Sequence, residues 1–485
     1  MVGMFPATLR TAAPLLLAQL AFAANTLVTQ FFLARHSTAA LHASLPGSML
    51  AVAYMAFFNA TLGYAGTIFA RRDGAGDGRG AMAAFVQSVW LTLFATPLLA
   101  LGMPVARLVL GAFNTSPEVL AAETLYFDIL MLNAAFTILA QVLGGFFTGR
   151  GKTAFVGAVT ILGFAVNMAI APVFISGFAG LPDGIAGAGI AQTVAHFVPC
   201  LILAAAIARH PLFRRRTVSL RPSLSAGETL EIIRLGLPNG FRTILEIGGF
   251  FVFTALIAEC APAAVAASTA LFAINGVPYG CIQGLSSAVE ILVGRSSGRG
   301  DRTEIRGIVI SAIAMTAAIA TVYVLALWLF RTELMHRFLP KSLTFETDEY
   351  FTTATRLAAV IAVKSLFEMC TLVLQGALRG LGDTAATFRI QMATSFAVWI
   401  PSYFAVRLLH PTVPAYWATM ILSGIVSTAL LVRRLTRRKY ANRPGATPRS
   451  ALYRCRRRIS ATTPLTHAGL WPVLRPSPRR CRPSR

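Results

Sequence analysis

Twelve stretches of about twenty apolar residues, set apart by polar connections, run through this chain between Thr11 and Val432. They centre near Ala23, Phe57, Leu91, Ala135, Phe164, Val194, Gly248, Val277, Met315, Val363, Val398 and Gly424. A helix advances ~1.5 Å per residue, so about 20 residues cross a hydrocarbon core of roughly 30 Å. The runs are long and continuously apolar, which favours helices over a barrel, whose strands alternate over about ten residues. With 55% of residues apolar and only 13% charged, a bilayer is the solvent that this chain can fill. The expected fold class is an all-α polytopic membrane protein of 12 transmembrane helices.

The chain also repeats itself. Gly145-Phe-Phe-Thr-Gly-Arg-Gly-Lys-Thr153 and Gly376-Ala-Leu-Arg-Gly-Leu-Gly-Asp-Thr384 share three glycines and a threonine in register, 231 residues apart. Residues 10–77 lie over 234–301 without a gap at a spacing of 224, pairing Arg10, Pro14, Arg71, Gly74 and Asp77 with Arg234, Pro238, Arg295, Gly298 and Asp301. A duplicated apolar half is how many membrane carriers are built. The expected organisation is an N-lobe over 1–208 with helices 1–6, a linker over 209–233, a C-lobe over 234–433 with helices 7–12, and a tail over 434–485.

Charge orients these helices. Lysine and arginine accumulate in cytoplasmic loops, and one set of alternate connections carries sixteen of them while the other carries six, Arg35, Arg107, Arg331, Arg337, Lys341 and Arg407. Both termini are therefore expected in the cytoplasm of a cell whose inner or plasma membrane holds the chain. The net charge of +24 does not indicate nucleic acid, because sixteen basic residues and no acid follow from Arg433 onward. That proline-, serine- and arginine-rich tail has no hydrophobic period and reads as disordered, either a plain extension past the last helix, as basic ends commonly obey topology, or a grip on anionic membrane lipid. No P-loop, nucleophile motif or zinc spacing appears, so neither an enzyme nor a metal site is expected, and no cofactor beyond a coupling ion.

The motifs resemble those of multidrug and toxic compound extrusion (MATE) transporters over roughly residues 10–432. Thr29-Gln-Phe-Phe-Leu-Ala-Arg35 and Ala39-Ala-Leu-His-Ala43 are similar to a first-helix signature of that family. Gly284-Leu-Ser-Ser-Ala288 with Val293-Gly294 is similar to its second-half counterpart, and Gly184 to Ala191 and Gly376 to Thr384 to its sixth-helix entry and tenth-helix exit. The resemblance implies two six-helix bundles related by a pseudo-twofold axis, rocking about a central cavity.

Function is expected on the ionisable groups left in hydrocarbon, since a charge at a helix centre is retained mainly where it faces a partner or a cavity. Glu246 and Glu368 each lie ten residues inside a helix end, Gly236 and Leu378 respectively, which is roughly 15 Å and half the core. The resemblance implies that acids at these positions bind H⁺ or Na⁺. Arg242 and Lys364 each stand four residues earlier, on the same helix face. Two readings stay open: two self-neutralised structural ion pairs, or one cluster in which protonating a glutamate releases its base.

In the first half, Thr29 stands where many family members carry an acid, and Asn167-Met-Ala-Ile-Ala-Pro172 keeps the amide and proline of a fifth-helix motif but not its aspartate. Thr29, Asn167, Phe250, Phe253 and Phe367 are candidate cavity residues for an amphipathic cation, by hydrogen bonding and by cation–ring attraction. Glu290, near a helix end, reads as solvated at the interface. The expected function is a monomeric secondary active antiporter that exports amphipathic, cationic drugs or metabolites, small-molecule substrates, in exchange for H⁺ or Na⁺. The alternatives are a flippase or exporter of anionic or lipid-linked substrates, and a non-transporting membrane scaffold.

Overall fold

The computed structural model describes residues 4–36, 38–111, 117–177, 184–211, 225–257, 260, 262–337, 347–409 and 412–437. Among them every regular element is helical. The first half contains α1 (Met4–His36), α2 (Thr38–Gly63), α3 (Ala65–Gly74), α4 (Gly78–Ala100), α5 (Gly102–Gly111), α6 (Pro117–Thr148), α7 (Thr153–Ile175) and α8 (Gly184–Ala208). The second contains α9 (Ala226–Ile257), α10 (Pro262–Arg299), α11 (Arg302–Arg337), α12 (Thr347–Gly380), α13 (Thr384–Thr394), α14 (Ile400–Leu409) and α15 (Val413–Arg437), with a π-helical turn over Ser395–Trp399 joining α13 to α14. Merging the helices that follow one another without a loop gives twelve spans, and each of the twelve apolar centres falls inside one of them. Eleven are long and apolar enough to cross a membrane by length and composition; the other, α9, is 32 residues long and carries the charges discussed below.

Helix α9 begins at Ala226, inside the stretch that charge alone marks as linker. Its first two turns carry Glu228 and Glu231 yet continue the helix, because Leu230, Ile232, Ile233 and Leu235 keep an apolar pattern and Ile232 is buried. Helix α15 likewise extends to Arg437, where the Arg434 guanidinium pairs with Asp383 at 2.9 Å. The basic segment 441–485 lies outside the described residues.

The sequence repeat is a backbone repeat. Gly151 and Gly382, which correspond across the halves, both turn the chain at φ 79°. Only glycine adopts that left-handed conformation without strain. Asp77 and Asp301 each cap the following helix, accepting from the amides of Gly80 and Glu304 at 2.9 Å. The halves meet through the paired glycines. Gly74 lies against the Arg295 carbonyl and Gly298 against the Arg71 carbonyl, where a Cβ on either would collide with backbone.

Contacts between the halves gather at the end of the bundle that carries the 208–226 linker. There α1 packs on α10, α2 on α9 and α3 on α10, and Leu15, Thr61 and Arg71 press on Gly284, Gly236 and Gly298. The cores differ. The C-lobe has one continuous core built round Phe253, Tyr350, Tyr403, Tyr416 and Trp417, whereas the N-lobe's buried residues fall into several smaller clusters.

Candidate functional site

Helices α9, α10 and α12 bring the membrane-depth charges together. The Arg242 Nη1 donates to Glu246 Oε2 at 2.6 Å, and the Lys364 Nζ donates to Glu368 Oε1 at 2.6 Å. Both pairs span one helical turn, so the i, i+4 spacing alone suffices to form them. The two pairs are then joined from α10. The Tyr279 hydroxyl donates to Glu246 Oε1 at 3.0 Å, and the Asn275 amide donates to Glu368 Oε2 at 3.3 Å while its Oδ1 accepts from Ser365 at 2.7 Å. Tyr279 and Asn275 stand one turn apart on α10, so one face of that helix serves both pairs.

Exposure within the cluster is uneven. The bases Arg242 and Lys364 are buried and the acids Glu246 and Glu368 are partly exposed, at side-chain exposures of 8% against 30% and 26%. The bases also have second partners: Arg242 reaches Gln375 Oε1 at 3.0 Å and Asn239 Oδ1 at 3.4 Å. The Lys364 ammonium lies over the rings of Phe272 and Trp417 at 5.9 and 5.7 Å. If a carboxylate were neutralised, its base would keep partners instead of becoming an orphaned charge in low dielectric.

The three named phenylalanines pack on other apolar groups. Phe250 stacks on Phe272 at 4.2 Å, Phe253 meets Trp417 edge-on at 4.7 Å and is 1% exposed, and Phe367 faces Gly424 of α15. In the N-lobe, Asn167 is buried and donates to Asn25 Oδ1 at 2.7 Å and to Thr29 Oγ1 at 3.3 Å. That centre is neutral. Asn25 has a sequence signal that went unused, since it precedes Thr29 by one turn on the same face of α1.

Glu290 departs from the sequence reading. Helix α10 continues to Arg299, nine residues past it, so Glu290 does not lie at a solvated end. It is largely buried, accepts from Arg379 Nε at 2.7 Å and from Thr67 Oγ1 across the halves at 2.6 Å, and the Tyr64 hydroxyl donates to the Arg379 carbonyl at 2.7 Å. Nearby Arg72 binds Glu228 at 2.7 Å and also Glu231, and Arg71 binds Glu231 at 2.9 Å. These polar ties all sit at the linker end and hold the halves together there. None could be read from helical spacing, because each joins residues far apart in sequence.

A lobe-duplicated helical bundle with a charged cluster at mid-depth is the build of a membrane carrier. The MatE family model matches residues 14–173 and 238–404, one segment in each half. A probable multidrug resistance protein NorM from Pseudomonas putida is 28% identical over 432 residues, covering 87% of this chain and 92% of that protein. The multidrug resistance protein MdtK of Edwardsiella ictaluri is 24% identical over 435 residues, 87% of this chain and 93% of that one. The fold is also that of solved transporters. An outward-facing MATE family multidrug resistance transporter of the MOP superfamily superposes with a TM-score of 0.78 at 18% identity, covering 90% of this chain and 97% of that one. A Pyrococcus furiosus MOP superfamily transporter, for which a reversed polarity of the binding pocket suggests a different function, gives 0.77 at 18% identity, with 90% and 96% covered. The chain is a multi-pass membrane transporter and not an enzyme; it belongs to the MATE family.

Proposed function

We propose that this chain is a secondary active antiporter exporting amphipathic, cationic drugs or metabolites in exchange for H⁺ or Na⁺, acting as a monomer in the inner or plasma membrane. The observation that carries this reading is the uneven exposure of the four-charge cluster: the acids are partly exposed and the bases buried. A cation arriving from water meets Glu246 or Glu368 first. With two acids and two bases the cluster is neutral, and each proton bound adds one positive charge, which repels a cationic substrate. Tyr279 and Asn275, one turn apart on α10, each donate to one of the two carboxylates. The multidrug names of the relatives in Pseudomonas putida and Edwardsiella ictaluri support the substrate class.

The sixteen-to-six bias of basic residues supports a cytoplasmic position for both termini and the linker end. Closure of that end by Glu290, Arg379, Thr67 and the Arg71–Arg72–Glu231 ties then corresponds to an outward-facing state. Efflux of a lipophilic fluorescent cation from proteoliposomes under an imposed pH or Na⁺ gradient tests the proposal. Gradient-dependent efflux that is lost in both Glu246→Gln and Glu368→Gln supports it. A second reading, export of an anionic or lipid-linked substrate, is favoured by the two buried bases, Arg242 and Lys364. Efflux of a lipophilic anion and none of the cation would select it.

A further inference from the structure

Beside the charged cluster, along a neighbouring stripe of α9, lies a crevice of about 500 Å³ that the transport reading does not use. One wall is a single stripe of α9, Leu245, Gly248, Gly249, Val252 and Leu256, and the other is the π turn with α14, including Phe396, Trp399, Tyr403 and Phe404. The wide turn and the two glycines make the gap. Gly249 admits the six-membered ring of Trp399, where a Cβ would collide, while a Cβ on Gly248 would meet nothing within 4 Å. Phe396, Phe404 and Val252 are exposed. In a chain of this hydropathy such a face is turned to acyl chains.

The crevice has polarity of one sign only. Trp399, Tyr403 and Arg407 follow at i, i+4 and i+8, so they climb one side about 6 Å apart toward the helix end at Leu409. The Trp399 and Tyr403 rings pack into the core behind the crevice, and Arg407, the one charged residue that lines it, stands exposed at the mouth. An anionic phospholipid fits that order. Its phosphate meets the guanidinium and a chain fills the apolar gap against Gly248. Within a bilayer there is no hydrophobic force to hold a lipid, so selection rests on the headgroup charge and on filling a void.

We infer that the α9–α14 crevice is a binding site for an anionic phospholipid, seated against the helix that carries Glu246. The inference does not depend on which ion or substrate the carrier moves. Brominated lipids in proteoliposomes test it, read as the fluorescence quenching that Trp399→Phe removes. Brominated phosphatidylglycerol should half-quench that signal at about one-fifth the mole fraction needed by brominated phosphatidylcholine, the preference that one basic residue near a charged headgroup gives. Arg407→Gln should erase the preference. Gly248→Leu, which fills open space and leaves the backbone undisturbed, should lower the quenching by both lipids and equalise them. Equal half-quenching by the two lipids in the wild type, or a preference that survives Arg407→Gln and Gly248→Leu, overturns the inference.

Discussion

The two halves of the chain share their glycine turns and helix caps but not their chemistry. By the spacings of the repeat, Arg242 and Glu246 correspond to Ala18 and Phe22, Lys364 and Glu368 to Asn133 and Thr137, and Glu290 and Arg379 to Gly66 and Thr148. Every one of these C-lobe charges faces a neutral counterpart, while the turn at φ 79° recurs in both lobes. The N-lobe centre, Asn25, Thr29 and Asn167, is held by amide and hydroxyl hydrogen bonds. The contrast teaches that the duplicated glycines and caps carry the architecture, which needs both copies, while charge at membrane depth needs only one.

The largest effect should come from the Glu290–Arg379 pair of the second half, which Thr67 and Tyr64 of the first half join by hydrogen bonds. Arg379→Ala leaves Glu290 buried and unpaired at the closed linker end, and breaking a buried pair this way costs about 3–5 kcal/mol. Spin labels on Gly76 and Gly300 should report separation of the linker-side turns, and an unchanged distance would mean that the glycine contacts alone hold the gate. Next come Glu246→Gln and Glu368→Gln, for which gradient-driven export should fall by about 5- to 150-fold, the usual span of a coupling energy. Arg242→Gln should reduce export less than Glu246→Gln, because it removes a modulator that Gln375 and Asn239 also hold in place. The smallest effect belongs to the N-lobe. Asn167→Ala should lower thermal stability in detergent by roughly 0.6 kcal/mol, typical of one interhelical hydrogen bond in a membrane, and should leave the ion dependence of transport unaltered. A changed ion dependence there would erase the contrast between the lobes.

What the chain disclosed before folding follows the same division. Span number, the lobe repeat and both intrahelical ion pairs were legible, because each depends on residues at most one turn apart or on a register that repeats. Tyr279, Asn275 and Gln375 were not, since a neighbour supplied by another helix leaves no period behind. Glu290 was misread for a related reason: its distance from Arg295 suggested water, but the helix runs on to Arg299 and the partners come from α3 and α12. The π turn opposite Gly248 likewise has no local signature in Ser395-Phe-Ala-Val-Trp399.

The central claim is that Glu246 and Glu368 exchange the coupling ion. Export of a lipophilic cation from proteoliposomes carrying the doubly substituted Glu246→Gln, Glu368→Gln chain, followed with and without a pH or Na⁺ gradient, addresses it directly. The account requires that the gradient no longer accelerates export while substrate still exchanges down its own gradient; gradient-driven export at the wild-type rate would contradict it.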